Sequence, residues 1–143
     1  MLGSIVAKDY MSINPVTFRA DTDIFKAIHI LLQYKISGAT VINDNNEVVG
    51  VISEMDCLKA IINVGYYGEG GGSVGDFMTG NVESIDKNMN IVDAAQLLLG
   101  TKRRRMPVIE AGKFTGQISA RSILQAFKDI RSNHDRTKDN HYE

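Results

Sequence analysis

Apolar positions recur twice along this chain at helical spacing. Ile24, Ala27, Ile28, Leu31 and Leu32 stand at intervals that lay one stripe along an α-helix. Ile91, Ala94, Ala95, Leu98 and Leu99 repeat those intervals 67 positions later. A short apolar run follows each stripe, "ATVI" (Ala39 to Ile42) and "MPVI" (Met106 to Ile109), and each run ends in a polar turn, "NDNNE" and "EAGK". Then come a second strand-like run, "VVGVIS" and "FTGQIS", and a second helical stretch. Upstream, "DYM" (Asp9 to Met11) recurs as "DFM" (Asp76 to Met78), and "PVTF" and "NVES" are predicted as short first strands.

Each half therefore reads β-α-β-β-α, an α/β arrangement of about 60 residues, and a unit that small buries too little surface to be secure alone. Two copies packed sheet to sheet with pseudo-two-fold symmetry would share one core. The expected organisation is repeat one over 1–64, a Gly-rich connector over 65–75 ("GYYGEGGGSVG"), repeat two over 76–131 and a fraying polar tail over 132–143.

Composition narrows the function without naming it. With 43% hydrophobic and 23% charged residues, the 143-residue chain suits a soluble globular protein. Its formal net charge of −1 offers no global field to draw it onto nucleic acid or an anionic membrane. The single cysteine, Cys57, excludes an internal disulfide and fits a reducing compartment. No stretch reaches the roughly 20 apolar residues of a membrane helix, and the N-terminus lacks a signal-peptide pattern. The expected location is cytoplasmic.

The quoted motifs, with "ISGATVIN", "GVISEMD", "RRMPVIE" and "GQIS", occur as two copies in order. In this the chain resembles the tandem CBS (cystathionine β-synthase) domain pair, or Bateman module, from about Val6 to Arg131. The resemblance implies a stand-alone regulatory module with clefts between its repeats. Such modules bind adenosine-containing ligands, here AMP, ADP or ATP first, with NAD and S-adenosylmethionine as alternatives. It implies a ligand rather than a required cofactor, and no catalysis. The regulated protein is not legible.

Candidate site residues follow from the motifs. Ser53-Glu54-Met55-Asp56 leaves a strand and opens a helix, and Ser-x-x-Asp is explained by a capping box alone. The resemblance instead assigns Asp56 to the ribose hydroxyls, for which a carboxylate supplies two acceptor oxygens. "KRRR" (Lys102 to Arg105) complements a helix C-terminus, and the resemblance places Arg104 and Arg105, beside Met106, at a ligand's phosphates. Ser53, Asp56, Arg104, Arg105 and Met106 thus form the expected main site. A second, weaker site would take Thr17, Ile36, Ser37 and Ala39 with Ser119, Arg121 and Ser122. There Ser122 replaces the acid, and Thr40 stands where repeat two has Pro107. Gly38 and Ala39 either admit a flat base or merely allow close strand packing.

Other chemistry has no constellation to support it. His29, His134 and His141 form no metal-ligand cluster in sequence, Cys57 has no histidine partner for nucleophilic work, and "GEGGG" lacks the Lys-Ser/Thr of a phosphate loop. The second helices are apolar beyond a narrow stripe: Met55, Leu58, Ile61 and Ile62 in one, Ile123, Leu124, Phe127 and Ile130 in the other. This surplus predicts a homodimer. The alternative function is a protein-interaction scaffold that binds no small molecule.

Overall fold

The structure is a computed structural model and describes residues 4–67 and 71–142. In chain order the elements are β1 (Thr17–Phe18), α1 (Ile24–Tyr34), β2 (Gly38–Ile42), β3 (Val48–Ser53), α2 (Glu54–Tyr67), α3 (Val74–Phe77), β4 (Ile85–Asp86), α4 (Ile91–Thr101), β5 (Arg105–Glu110), β6 (Lys113–Ser119) and α5 (Ala120–Tyr142). A 3-10 turn over Ala7–Asp9 precedes them.

Two compact units result. One comprises Pro15–Glu83 with Gly112–Phe114 and is called here the Asp56 unit; the other comprises Met1–Asn14, Ser84–Ala111 and Thr115–Glu143 and is called the Ser122 unit. These differ from the sequential repeats, because the leading segment of each repeat joins the other repeat's unit. Val74 and Gly75 donate backbone N–H groups to the carbonyls of Thr22 and Ala20 (both 2.8 Å). In the same way, Ala7 and Lys8 donate to Met89 and Lys87 (2.8 and 3.0 Å). "DFM" therefore belongs with the first repeat's sheet and "DYM" with the second's.

In the Asp56 unit, β1 pairs in parallel with β2 (Thr17 beside Thr40), and β2 pairs antiparallel with β3 (Gly38 opposite Ser53). The β2–β3 register shifts between Val41 and Ile42, next to the turn over 43–47, which is longer than the β5–β6 turn over 111–112. The sheet of the Ser122 unit has the order β4-β5-β6, with Ile85 beside Val108 in parallel. β4 starts just after the expected "NVES" strand. Asp23 and Asn90 cap α1 and α4 by accepting the backbone N–H groups of Lys26 and Asp93. Both helices end on a left-handed lysine, Lys35 (φ 55°) and Lys102 (φ 57°).

Each unit has its own core. Phe18, Ile24, Ala27, Leu31, Val41 and Ile52 fill one; Ile85, Ile91, Ala94, Leu98, Met106, Val108 and Ile118 fill the other. The helical stripes are narrower than expected. Leu31 and Leu98 are buried, while Leu32 and Leu99 are 71% and 79% exposed, since adjacent positions on a helix lie about 100° apart. On α2 and α5 the small residues Cys57, Ala60 and Ala126 turn inward, leaving Met55, Leu58, Ile61, Ile62, Leu124 and Phe127 exposed.

The expected connector is partly helical. α2 runs through Tyr67 and α3 begins at Val74, while 68–70 lie outside the described residues. The expected fraying tail instead continues α5 to Tyr142. No Gly or Pro interrupts residues 120–142, so no helix breaker stops it.

Candidate functional site

β3 ends at Ser53, and α2 begins at the next residue, so a strand edge delivers the chain directly into a helix N-terminus. Ser53 accepts the backbone N–H of Asp56 on Oγ at 3.1 Å, and the N–H of Ser53 donates to Asp56 Oδ2 at 3.1 Å. The capping box is complete. Glu54 adds a second acid to the first turn, where the helix dipole favours negative charge. The N–H of Glu54 donates to the carbonyl of Ser37 at 2.9 Å, tying α2 to the residue before β2.

Asp56 is 93% buried by residue area, since its exposure is 7%. Two further groups address its carboxylate. Thr79 Oγ1 donates to Oδ2 at 3.5 Å, and Lys59 Nζ stands 3.6 Å from Oδ1. Oδ2 thus faces the cap and a hydroxyl, while Oδ1 faces a cation on a largely exposed side chain. Sequence reasoning missed both partners. Lys59 was legible as the residue three places along the same helix, whereas Thr79 lies 23 residues away with no periodic signal.

The Ser122 unit builds the same junction without the acid. Ser119 Oγ accepts the N–H of Ser122 at 3.1 Å, and the two hydroxyls lie 2.9 Å apart. Ala120 N–H donates to the carbonyl of Arg104 at 2.8 Å, matching the Glu54–Ser37 bond. The first turn of α5 carries no acid. Its polar pair is neutral, with exposed Arg121 beside it.

Thr17, Ile36, Ser37 and Ala39 join Ser53 and Asp56 in the Asp56 unit; Arg104, Arg105, Met106, Ser119, Arg121 and Ser122 lie in the other. Met106 is fully buried in its unit's core, so its side chain faces that core and offers a ligand only backbone. Ala39 is likewise a core residue. A Cβ on Gly38 would sit 2.8 Å from the carbonyl oxygen of Ile52, so close strand packing explains this glycine. Arg104 is exposed, and Arg105, which opens β5, is half-buried.

Cys57 is buried beside Asp56. Burial pushes its thiol pKa up, and the carboxylates of Asp56 and Glu54 add to the effect, so it stays protonated and weakly nucleophilic. Among the described residues, no group of three or more His, Cys, Asp or Glu is placed to hold a metal ion, and no helix is long and apolar enough to cross a membrane.

A family model for the CBS domain matches residues 7–63 and 74–129. The chloroplastic CBS domain-containing protein CBSX2 of Arabidopsis thaliana is 29% identical, over 79% of this chain and 58% of that protein. The uncharacterized protein MJ1225 of Methanocaldococcus jannaschii is 26% identical, over 91% of this chain and 46% of its own length. The chain thus spans about half the length of these curated relatives. The crystal structure of CBSX2 in complex with AMP matches with a TM-score of 0.79 at 32% identity, covering 89% of this chain and 98% of that one.

Proposed function

The chain belongs to the CBS-domain family, and from that premise we propose that it is a regulatory module that binds an adenosine-containing nucleotide, with Asp56 taking the ribose. The observation that carries this reading is the state of the Asp56 carboxylate. It is buried and oriented at a helix N-terminus, with Oδ2 committed to the cap and Oδ1 facing the ammonium of the largely exposed Lys59. A ribose diol supplies neutral donors to such an oxygen. The AMP in the crystal structure of CBSX2, a match at 32% identity, supports the ligand class.

Calorimetric titration with AMP, ADP, ATP, NAD and S-adenosylmethionine tests the reading: saturable binding of at least one supports it, and binding of none removes it.

The helix faces suggest the output. Met55 (72%), Leu124 (68%), Leu58 and Phe127 (both 51%) expose large apolar side chains on α2 and α5. We read these faces as the contact of a homodimer, whose geometry a bound nucleotide would bias. Light scattering at micromolar concentration checks this; a mass matching the 15.8 kDa chain contradicts it. The same faces favour the second reading, an interaction scaffold, should no nucleotide bind.

A further inference from the structure

The residue that brings a hydroxyl to Asp56 comes from a distant part of the chain and is held there firmly. Val51 N–H donates to the carbonyl of Thr79, and Thr79 N–H donates to the carbonyl of Val51, both at 2.9 Å. This two-bond bridge fixes Thr79 beside β3, two residues before Ser53. From there Oγ1 donates to Asp56 Oδ2 at 3.5 Å.

The Ser122 unit supplies an internal control. Ser12 stands 67 positions before Thr79 and bridges Gln117 with the same pair of backbone bonds, at 2.8 and 3.2 Å. Its hydroxyl turns to the carbonyl of Gln117 at 3.4 Å, while Ser122 bonds Ser119 instead. Both units therefore place a hydroxyl at the same bridge. Only where the helix carries a carboxylate is that hydroxyl directed at the helix. A purely structural edge residue accounts for the backbone bridge but not for this difference in direction.

We propose that Thr79 is a positioning residue for nucleotide binding. Together with the Ser53 N–H it holds Oδ2, fixes the plane of the Asp56 carboxylate and so aims Oδ1 at the cis-diol of a ribose. The inference rests on the reading that Asp56 binds ribose. At 3.5 Å the bond is long for a hydroxyl and a carboxylate, so its effect on affinity is modest, about threefold to tenfold.

The test is calorimetric titration of AMP and of 2′,3′-dideoxyadenosine monophosphate into the full chain and its Thr79→Val, Thr79→Ser and Asp56→Asn variants. Melting temperatures are read alongside, and Thr79→Ala stands in should valine disturb the bridge. Thr79→Val is expected to weaken AMP by that factor, to leave the dideoxy compound unchanged and to add no loss in an Asp56→Asn background. Thr79→Ser should restore AMP affinity. Equal weakening of both compounds, or unchanged AMP affinity, overturns the positioning role while Asp56→Asn still shows the ribose site. If Asp56→Asn leaves AMP binding intact, the ribose reading itself fails and this inference with it.

Discussion

A side chain on Gly50 would put its first carbon 2.7 Å from the carbonyl oxygen of Thr79 and 2.8 Å from Met78 Sδ. The segment that opens the second sequence repeat is thus pressed onto the first repeat's sheet, and only glycine lets it lie so close. Gly116 stands in the same relation to the carbonyl of Ser12 and to Met11.

Gly50→Ala and Gly116→Ala should each destabilise the protein by roughly 1–3 kcal/mol, because backbone is the obstacle and must shift. Gly100, in α4, has nothing within 4 Å of such a carbon. Gly100→Ala should stabilise by about 0.5–1 kcal/mol through helix propensity. Urea unfolding of the three variants checks the contrast in sign.

Lys35 and Lys102 occupy the left-handed position that closes a helix, where a Cβ is unfavourable and glycine is the usual residue. Lys35→Gly should therefore raise stability by about 0.5–1 kcal/mol, after allowance for the lost cation at the helix C-terminus. Lys102→Gly should do the same. Unchanged or lower midpoints in denaturant would contradict the strain argument.

Ser122→Asp restores the missing acid of the second junction. A carboxylate there would accept the Ser119 N–H and complement the α5 dipole, so stability should rise by about 1 kcal/mol. Titration of the same variant with AMP should show a second, weaker binding event in addition to that of the parent chain.

Tyr10 donates its hydroxyl to Asp129 Oδ2 at 2.7 Å, and Gln125 donates to Oδ1 at 2.8 Å. The tyrosine bond, then the glutamine bond, hold the Asp129 carboxyl below its ordinary range. That same bond leads in raising the Tyr10 phenol above its own range, with burial and the charge of Asp129 adding to it. Asp129 contributes stability that is present above the unfolded carboxyl pKa and is lost as pH falls through the lowered folded value. Tyr10 contributes stability that is present below the unfolded phenol pKa and is lost as pH rises through the raised folded value. Tyr10→Phe should flatten both limbs of melting temperature against pH. Retention of the full acid limb would show that Asp129 owes its shift to another group.

Much of this was legible in the residues. The 67-residue offset between Ile24 and Ile91 announces the repeat, and each β-α-β-β-α half follows from apolar runs and turns. Which sheet receives "DYM" and which "DFM" was not legible, because a leading segment carries no mark of the neighbour it will join. The inward faces of α2 and α5 were also obscured: Cys57, Ala60 and Ala126 fill the cores, while the larger Met55, Leu58 and Phe127 that dominate a hydrophobic count face outward. For Asp56, the capping box was readable from Ser-x-x-Asp and is present in full. The approach of Thr79 depends on tertiary placement alone.

One paired measurement on Asp56→Ala separates nucleotide binding from helix capping. Loss of the cap alone costs about 1 kcal/mol of stability, and melting temperature reads that loss. AMP titration of the same folded variant reads the ligand. The expected result is a modestly lower melting temperature together with AMP binding abolished or greatly weakened. A lower melting temperature with unchanged AMP affinity would contradict it.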